Sequence, residues 1–337
     1  MSETVVRAEN VQVKYLIGRA GLFKRIYVNA VNGVSLDVKK GEIVSLIGES
    51  GSGKTTLGKA MLRLVDIYSG KIYWDSTDVT KDSKKDVTKL RDVTKLSEGI
   101  LRRLRKNFQL IQQDPYGALD PRLTIYEILA EGLRLHKLVK SQEEEREKIY
   151  EILKIVKLTP PENFIKKRPY ELSGGQRQRV VVARALLLQP KFIVADEPIS
   201  MLDASTRGQI LEFILKDRET RQTAYLFITH DISIASYISD RIAVMYLGKI
   251  VEMGKPEEVI SEPLHPYTKA LIDAVPVPDP DYGIKEPNIK GELPSPIELP
   301  SGCVFNPRCP LAKPICKEKE PELKKVKGDH YVACHLY

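Results

Sequence analysis

Cysteine is absent from the first 302 residues of this 337-residue chain, and long hydrophobic runs are absent throughout. No segment approaches the roughly 18 uninterrupted apolar residues of a membrane-spanning helix; the best candidate, residues 180–188, is short and contains Arg184. The N-terminal MSETVVRAEN lacks the basic start and apolar core of a signal peptide. These absences predict a cytoplasmic protein with no transmembrane helix and no disulfide framework.

The charge balance is that of a globular protein with one basic segment. The chain is 29% charged and 42% hydrophobic, with a net charge of +8. Residues 81–106 hold ten lysines or arginines against four acids, so most of the excess is local. The segment 76–106 is either a nucleic-acid or anionic-lipid patch or a solvated basic insertion. The second interpretation is favoured, so nucleic acid is not an expected partner.

A phosphate-binding loop is the most specific motif. Residues 48–56 read GESGSGKTT, between a predicted buried strand (43–47) and a predicted helix (57–64). The glycines let backbone N–H groups form an anion-binding nest at the helix N-terminus. Lys54 can reach the β- and γ-phosphates, and the Thr55 hydroxyl can bind Mg²⁺. The predicted phosphate-binding residues are Gly48, Ser50, Gly51, Ser52, Gly53, Lys54, Thr55 and Thr56.

The N-terminal region is predicted to be β-structure. Residues 3–47 read as several short strands, with a loop over 18–25. Val11, Val13 and Tyr15 alternate with polar residues, as on a half-buried strand. Tyr15 is the aromatic best suited to stack on adenine, with Tyr27 second; an ordinary strand aromatic is the alternative.

Carboxylates and a histidine follow predicted strands further along the chain. The strand 192–195 ends in Asp196 and Glu197, which suit a metal-water site and a general base. The strand 225–229 ends at His230, a candidate γ-phosphate sensor or a structural histidine. LSGGQ at 172–176 begins an apolar-faced helix. It is either a second anion site or a serine-capped helix.

The middle of the chain is predicted to be mostly helical. Residues 114–121 form a shaped loop, because two Asp-Pro pairs force turns. The segment 122–168 has helical spacing, and Ser141 to Glu144 fits a capping box. The letters DVTK occur three times, from Asp78, Asp86 and Asp92, with no evident chemistry.

The composition changes near residue 254. Fourteen of the 21 prolines and all four cysteines follow this point. Cytoplasmic location argues against disulfides. The spacing fits neither the short gaps usual for zinc nor the ferredoxin patterns. From the residues alone, the metal at this cluster is undecided. The cysteines are Cys303, Cys309, Cys316 and Cys334.

Taken together, the motifs resemble the ATPase subunits of ABC transporters. GESGSGKTT, QQDP, LSGGQ, ADEP, SMLD and ITHD occur in that family's order, and HPYT with GCVFNPRCPLAKPIC is similar to the C-terminal extension of the oligopeptide/dipeptide importer subfamily. The segment between Tyr15 and Ala30 is similar to the F-type partner ATPase. The resemblance implies an α/β P-loop NTPase cassette with a mixed sheet core, an antiparallel β subdomain and a helical subdomain at about 114–185. The ATPase domain would be 1–253 and the Cys-containing extension 254–337.

The resemblance also implies roles for individual residues. Glu197 would polarise the attacking water, His230 would contact the γ-phosphate, and Lys54 would complete the catalytic set with Gln113. Thr55, Gln113 and Asp196 would hold Mg²⁺. A set of residues would contact the nucleotide of a second ATPase subunit or join the two faces: Ser173, Gly174, Gly175, Gln176 and Asp203.

The implied cofactors are ATP, Mg²⁺ and a [4Fe–4S] cluster on the four cysteines, with Zn²⁺ as the alternative. The implied partners are a second homologous ATPase, two permease subunits and an extracellular solute-binding protein, at the cytoplasmic face of the membrane. The solute would be an oligopeptide, with oligosaccharide or metal as alternatives. A soluble ABC ATPase acting on nucleic acid or the ribosome is the alternative class; the single cassette without heptads disfavours it.

Overall fold

The computed structural model describes residues 3–20, 24–75, 90–275 and 289–337. In chain order, the strands are β1 (Thr4–Ala20), β2 (Lys24–Lys39), β3 (Ile43–Ile47), β4 (Ser69–Asp75), β5 (Leu90–Asp92), β6 (Phe108–Ile111), β7 (Phe192–Asp196), β8 (Ala224–Ile228), β9 (Arg241–Tyr246), β10 (Lys249–Gly254), β11 (Lys324–Lys327) and β12 (His330–Val332). The helices are α1 (Lys54–Met61), α2 (Glu98–Leu104), α3 (Pro115–Ala118), α4 (Ile125–Leu135), α5 (Gln142–Ile155), α6 (Glu162–Ile165), α7 (Gly174–Leu187), α8 (Ala204–Arg221), α9 (Ile232–Ile238), α10 (Pro256–Ser261), α11 (Pro266–Asp273) and α12 (Ile315–Glu318). The described residues form two compact units.

The phosphate-loop unit comprises Arg7–Leu36, Ile43–Ile72 and Thr229–Tyr337. Its mixed sheet has the order β11-β12-β10-β9-β3, in which β3 and β9 are parallel and the other pairs are antiparallel. All five residues of β3 are buried, as its mostly apolar sequence predicts. The predicted strand before the phosphate loop is therefore confirmed, and it places the loop at the carboxyl end of β3.

The same unit contains a second sheet, in which β2, β1 and β4 lie side by side. The prediction of several short strands is wrong, because β1 and β2 are 17 and 16 residues long. The prediction of a loop at 18–25 is also wrong for the residues that the structure describes there, since β1 continues to Ala20 and β2 begins at Lys24. Gly18 lies within β1, and a Cβ at this position would have open space around it. Its presence in the sequence therefore does not indicate a turn.

The helical unit comprises Tyr73–Ile228 with the described residues of Met1–Val6 and Asp37–Glu42. Its strands β6, β7 and β8 are parallel neighbours in that order, and every residue of β7 and β8 is buried. Helices α4 and α5 pack on α7, and β5 pairs antiparallel with the end of β4. The expected α/β class, with a mixed sheet, a separate β-sheet and a helical region, is confirmed.

Two local predictions need correction. The helix after the phosphate loop runs over Lys54–Met61 rather than 57–64, and the chain turns at Arg63, whose φ is +52°. Ser141 does cap α5 by accepting from the Glu144 N–H. The Glu144 carboxylate accepts from the Lys140 N–H instead of closing a capping box.

The described part of the chain contains no helix long and apolar enough to cross a membrane. The first two DVTK repeats and part of the basic segment, within residues 76–89, lie outside the described residues. The third repeat begins at Asp92, whose carboxylate accepts from the Thr94 N–H. Neither the patch nor the insertion interpretation of the basic segment is therefore decided by the fold.

Candidate nucleotide site

The phosphate loop needs glycine at two positions for steric reasons. Gly48 has a φ of +148°, and a Cβ there would lie 2.1 Å from the Met245 carbonyl oxygen. Gly53 has a φ of +100°, and its Cβ would lie 2.1 Å from the Ala30 carbonyl oxygen. Because side chains are excluded at both positions, the backbone can turn tightly before α1. The first N–H groups of α1 have no partner within the helix, which suits them to bind an anion.

Lys54 is buried in the loop that it is predicted to serve. Its Nζ donates to the carbonyl oxygens of Gly48 and Glu49, at 2.8 Å each, and to the Ser52 hydroxyl at 3.4 Å. The ammonium group is thus held inside the loop by backbone acceptors. This position lets it reach phosphate oxygens without crossing bulk water.

The structure brings His230 to the phosphate loop within the same unit. His230 is exposed, and with Gly48 it lines a cavity of about 470 Å³. Helix α9 begins directly after it, capped by the Asp231 carboxylate accepting from the Ile234 N–H. The cap fixes where the chain turns after His230, and the imidazole is exposed at this edge.

Tyr15 and Tyr27 occupy the second sheet of the phosphate-loop unit. Tyr15 lies on β1 and is 40% exposed. Tyr27 meets Tyr68 edge to face, with ring centroids 6.4 Å apart. The Lys14 ammonium group lies 4.3 Å from the centre of the Tyr68 ring. Tyr15 therefore has free ring surface, and its role toward adenine stays a prediction.

In the helical unit, Gln113 and Glu197 are hydrogen-bonded. The Gln113 amide Nε2 donates to Glu197 Oε2 at 2.9 Å, across 84 residues of sequence. Glu197 has a φ of +45°, a conformation that is costly for a glutamate. Its N–H donates to the Ile228 carbonyl at 2.9 Å, which holds the strained backbone in place. The pair forms a polar group at the end of β7.

Asp196 is the last residue of β7 and is 6% exposed. It pairs in register with Ile228 of β8. A carboxylate at the carboxyl end of a buried parallel strand lies where this class of sheet binds ligands. The predicted adjacent carboxylates therefore have different surroundings: Asp196 is buried, whereas Glu197 is partly exposed and bonded to Gln113.

The LSGGQ segment forms a fully capped helix start. The Ser173 hydroxyl accepts from the Gln176 N–H, and the Gln176 side chain accepts from the Ser173 N–H. Ser173 is nevertheless exposed, and the guanidinium of Arg177 lies 4.1 Å from the centre of the Tyr116 ring. A Cβ on Gly175 would come within 3.1 Å of Thr206, so α8 packs close behind the motif. The serine-cap interpretation is correct for the isolated chain.

Asp203 caps α8. Its carboxylate accepts from the Thr206 N–H at 3.0 Å, and from the hydroxyls of Thr206 and Ser205 at 2.8 and 2.6 Å. These hydrogen bonds, the Ser205 hydroxyl first among them, lower the pKa of Asp203 well below its usual range. Asp203 therefore favours its ionised form, and it lies six residues after Glu197 in the sequence.

The four cysteines are free thiols in the phosphate-loop unit. The pKa of Cys303 is raised to about 11, mainly by burial and in smaller part by the thiols of Cys316, Cys334 and Cys309. The four side chains are therefore close enough to interact. Among the described residues, however, no group of three or more His, Cys, Asp or Glu side chains is arranged to hold a metal ion. The donors fit a thiolate-bound group in chemical type, and their spacing does not fit a single ion.

Two contacts of the phosphate loop were not predicted from the sequence. Tyr267 and Arg308, both from the C-terminal region, contact Glu49. In the sequence, Tyr267 and Arg308 lie in the motifs HPYT and NPRC, and neither motif indicates which residue it contacts. More than 200 residues separate each from Glu49, and no local pattern reports such a contact.

The comparisons with known proteins identify the family. The ABC transporter family profile matches residues 31–200, and the profile for the C-terminal region of oligopeptide/dipeptide transporters matches residues 251–316. The oligopeptide transport ATP-binding protein AppF of Bacillus subtilis is 45% identical over 99% of this chain and 98% of its own length. A putative peptide import ATP-binding protein of Brucella ovis is 42% identical over 90% of each chain.

The fold is also that of known ATP-binding cassettes. The dimeric structure of the cassette MJ0796 in a post-hydrolysis state, bound to ADP and Pi, has a TM-score of 0.64 and 30% identity, covering 74% of this chain and 98% of that one. On its fold, its ordered motifs and the two matching profiles, this chain belongs to the ABC transporter family and carries the C-terminal region found in oligopeptide/dipeptide transporters.

Proposed function

We propose that this chain is the ATP-hydrolysing subunit that energises an importer of peptides. The supporting observation is the presence, in one chain, of a phosphate loop with a buried lysine, a Gln113–Glu197 pair and the oligopeptide-transporter C-terminal region. The relatives named above are peptide or oligopeptide transport proteins. This favours peptides over oligosaccharides or metal ions as the solute.

The chemistry follows from positioning and charge neutralisation. Phosphoryl transfer needs an in-line water and stabilisation of charge on the phosphate oxygens more than covalent catalysis. The backbone of residues 48–56 and the Lys54 ammonium group bind the phosphates. Thr55, Gln113 and Asp196 are the side chains that would hold Mg²⁺, which neutralises phosphate charge when bound.

Glu197 is the proposed general base. Its carboxylate accepts a hydrogen bond from Gln113, which fixes its orientation at the end of β7. A carboxylate held in this way can accept a proton from the attacking water. His230 is proposed to contact the γ-phosphate and orient the same water, because it shares a cavity with Gly48.

The exposed LSGGQ segment is proposed to act on the nucleotide of a second cassette. Ser173 and the glycines at the start of α7 offer a hydroxyl and helix N–H groups to a phosphate. Gln176 and Asp203 hold the two helix starts concerned. We propose a heterodimer with a homologous ATPase, and the MJ0796 structures are dimers.

The importer would also contain two permease subunits and a solute-binding protein, with this chain peripheral on the cytoplasmic face of the membrane. Residues 1–253 would form the ATPase and residues 254–337 its extension.

The test is to purify the tagged chain with its membrane partners and measure ATP hydrolysis with and without peptide-loaded binding protein. We expect permeases and a second ATPase to co-purify and peptide to stimulate hydrolysis. Co-purification with ribosomes or nucleic acid, without permeases, would contradict the proposal.

We also propose that Cys303, Cys309, Cys316 and Cys334 hold a [4Fe–4S] cluster that ties the extension together. Four interacting free thiols and no disulfide support this. Such a cluster would supply a structural crosslink and no step of the ATPase reaction. Anaerobically purified protein should contain iron and acid-labile sulfide and absorb visible light. Colourless protein with stoichiometric zinc, or with no metal, would contradict the proposal.

A further inference from the structure

Glu49 is a carboxylate inside the phosphate loop, and it is paired with a residue from the far end of the chain. Arg308 Nη1 lies 3.1 Å from both Glu49 Oε1 and Glu49 Oε2. The Arg308 side chain is 9% exposed and that of Glu49 is 27% exposed. The pair is therefore shielded from water on the arginine side, where an ion pair is less screened than at the surface.

A second residue of the C-terminal region contacts the same position. The Tyr267 hydroxyl accepts from the Glu49 N–H at 2.8 Å. The Tyr267 ring is fully buried and packs against Tyr246 and Phe305, at centroid distances of 4.6 and 5.5 Å. Both the backbone and the side chain of Glu49 thus have partners contributed by residues beyond 260.

Arg308 is held by a tight turn. Its N–H and that of Cys309 donate to the Phe305 carbonyl at 3.0 Å, and its own carbonyl accepts from the Lys290 N–H. The Asn306 side chain donates to the carbonyls of Ser301 and Cys303 at 2.8 Å. The guanidinium therefore starts from a fixed backbone, and its position does not depend on a flexible loop.

The charge of Glu49 conflicts with the task of the loop. A triphosphate brings several negative charges to the N–H groups that follow Gly48. An unpaired carboxylate one residue further on would repel it. Lys54 donates to the carbonyl oxygens of Gly48 and Glu49, and the Arg308 guanidinium donates to the Glu49 carboxylate. Arg308 thus places a positive charge against the Glu49 carboxylate.

We propose that Arg308 is a positioning residue for ATP binding: it neutralises the Glu49 carboxylate and, with Tyr267, holds the phosphate loop open to the triphosphate. This inference rests on the proposed ATPase function and assigns a role in it to the C-terminal region. It predicts an effect on nucleotide affinity that grows with the number of phosphates. A purely structural role of the arginine would not predict this dependence.

The experiment measures the dissociation constants of the full-length chain for MgATP and MgADP by calorimetry. Arg308→Gln should weaken MgATP binding about 10-fold and MgADP binding less, because the unpaired Glu49 repels the triphosphate more strongly. Glu49→Gln in the Arg308→Gln background should restore MgATP binding to within about 3-fold of wild type, since the repelling charge is gone. Arg308→Lys keeps the charge and should lose less affinity than Arg308→Gln.

Lys317→Gln is the matched control, since Lys317 is exposed on the same extension; it should leave both constants unchanged. Equal MgATP affinity of Arg308→Gln and wild type would overturn the inference, as would a double variant that binds no better than Arg308→Gln. A uniform loss for ATP and ADP, with a lower melting temperature, would also overturn it. If wild-type protein bound neither nucleotide, the proposed function itself would fail.

Discussion

Glu197 combines backbone strain with a defined hydrogen bond. Its φ of +45° is maintained by its N–H bond to Ile228 and by Ser200, whose N–H and hydroxyl both donate to the Glu197 carbonyl. Strain of this kind persists only where the surroundings fix it, and it is concentrated at functional sites. The carboxylate orientation is thus built into the turn after β7.

Glu197→Gln should abolish ATP hydrolysis and retain ATP binding. The amide keeps the shape of the side chain but cannot accept the proton of water, so we expect the rate to fall by at least about 100-fold. Phosphate release and nucleotide binding measure the two effects. Glu219→Gln, at an exposed position of α8, is the control and should hydrolyse normally. Hydrolysis by Glu197→Gln at the wild-type rate would show that another group is the base.

Gly53→Ala and Gly99→Ala should have opposite effects on stability. A Cβ at Gly53 would lie 2.1 Å from the Ala30 carbonyl oxygen at a φ of +100°, whereas Gly99 lies in α2 with open space around it. We expect the first change to lower the melting temperature. The second should raise it slightly, because alanine adds up to about 1 kcal/mol of helix propensity to the free energy of unfolding. Thermal unfolding of the two variants measures this; a stable Gly53→Ala protein would contradict the steric argument.

At the scale of single residues, the motifs located Asp196, Glu197 and His230 at strand ends because each follows an apolar run. They located Lys54 because it follows the glycine-rich residues 48–53. They did not locate the hydrogen bond of Gln113 to Glu197 or the ion pair of Glu49 with Arg308. Those contacts join segments 84 and 259 residues apart. Such pairings depend on the tertiary fold, which sequence periodicity does not encode.

Among the secondary-structure elements, α4 and α5 are joined by one buried carboxylate. Glu145 is 3% exposed and accepts from the Tyr126 hydroxyl at 2.8 Å and from Arg134 Nε and Nη2 at 2.7 Å. The Arg134 guanidinium holds the pKa of Glu145 below its usual range despite burial. The sequence marks Glu145 only as one acid in an acidic first turn.

Glu145→Ala should destabilise the helical unit by about 1 to 3 kcal/mol, because Tyr126 and Arg134 lose their buried acceptor while the Arg134 side chain, 57% exposed, can still bind water. Glu147→Ala, at an exposed position of the same helix, should cost less than about 0.5 kcal/mol. Chemical denaturation of both variants compares them. Equal stability of the two would mean that the Glu145 contacts contribute nothing net.

Element type was more predictable than element boundary. The buried strands at 43–47 and 192–196 follow from mostly apolar sequence. The length of β1 and β2 did not follow, because Gly18 appeared to end a strand that instead continues past it. Glycine only permits a turn, and the neighbouring strand decides whether one forms.

In the molecule as a whole, the C-terminal region shares a core with the phosphate-loop unit. Val304 and Phe305 pack with Ile242, Val251 and Tyr267 in one cluster. His265 is 1% exposed beside this cluster, and its Nδ1 accepts from the Tyr267 N–H at 3.0 Å. Burial lowers the pKa of His265 to about 3.

Stability should therefore fall in mild acid. A histidine that is neutral when buried must gain a proton on unfolding below its ordinary pKa of 6.5, so its contribution is complete above that pH and is lost as pH falls toward 3. At pH 5 the loss would be about 2 kcal/mol. Melting temperatures at pH 7 and 5 should differ less for His265→Asn, which can still cap α11. An unchanged difference would exclude His265 as the cause.

Glu252 on β10 has a consequence for how such proteins can be recombined. Its buried carboxylate accepts from the N–H groups of the consecutive residues Leu264 and His265 and bonds to His330, so two later segments share one carboxylate. A chimera joined between residues 252 and 264 would combine donors and acceptor from different parents. Exchange of the C-terminal region between relatives, by recombination in the laboratory or by gene transfer in nature, should succeed best when the crossover lies upstream of β9.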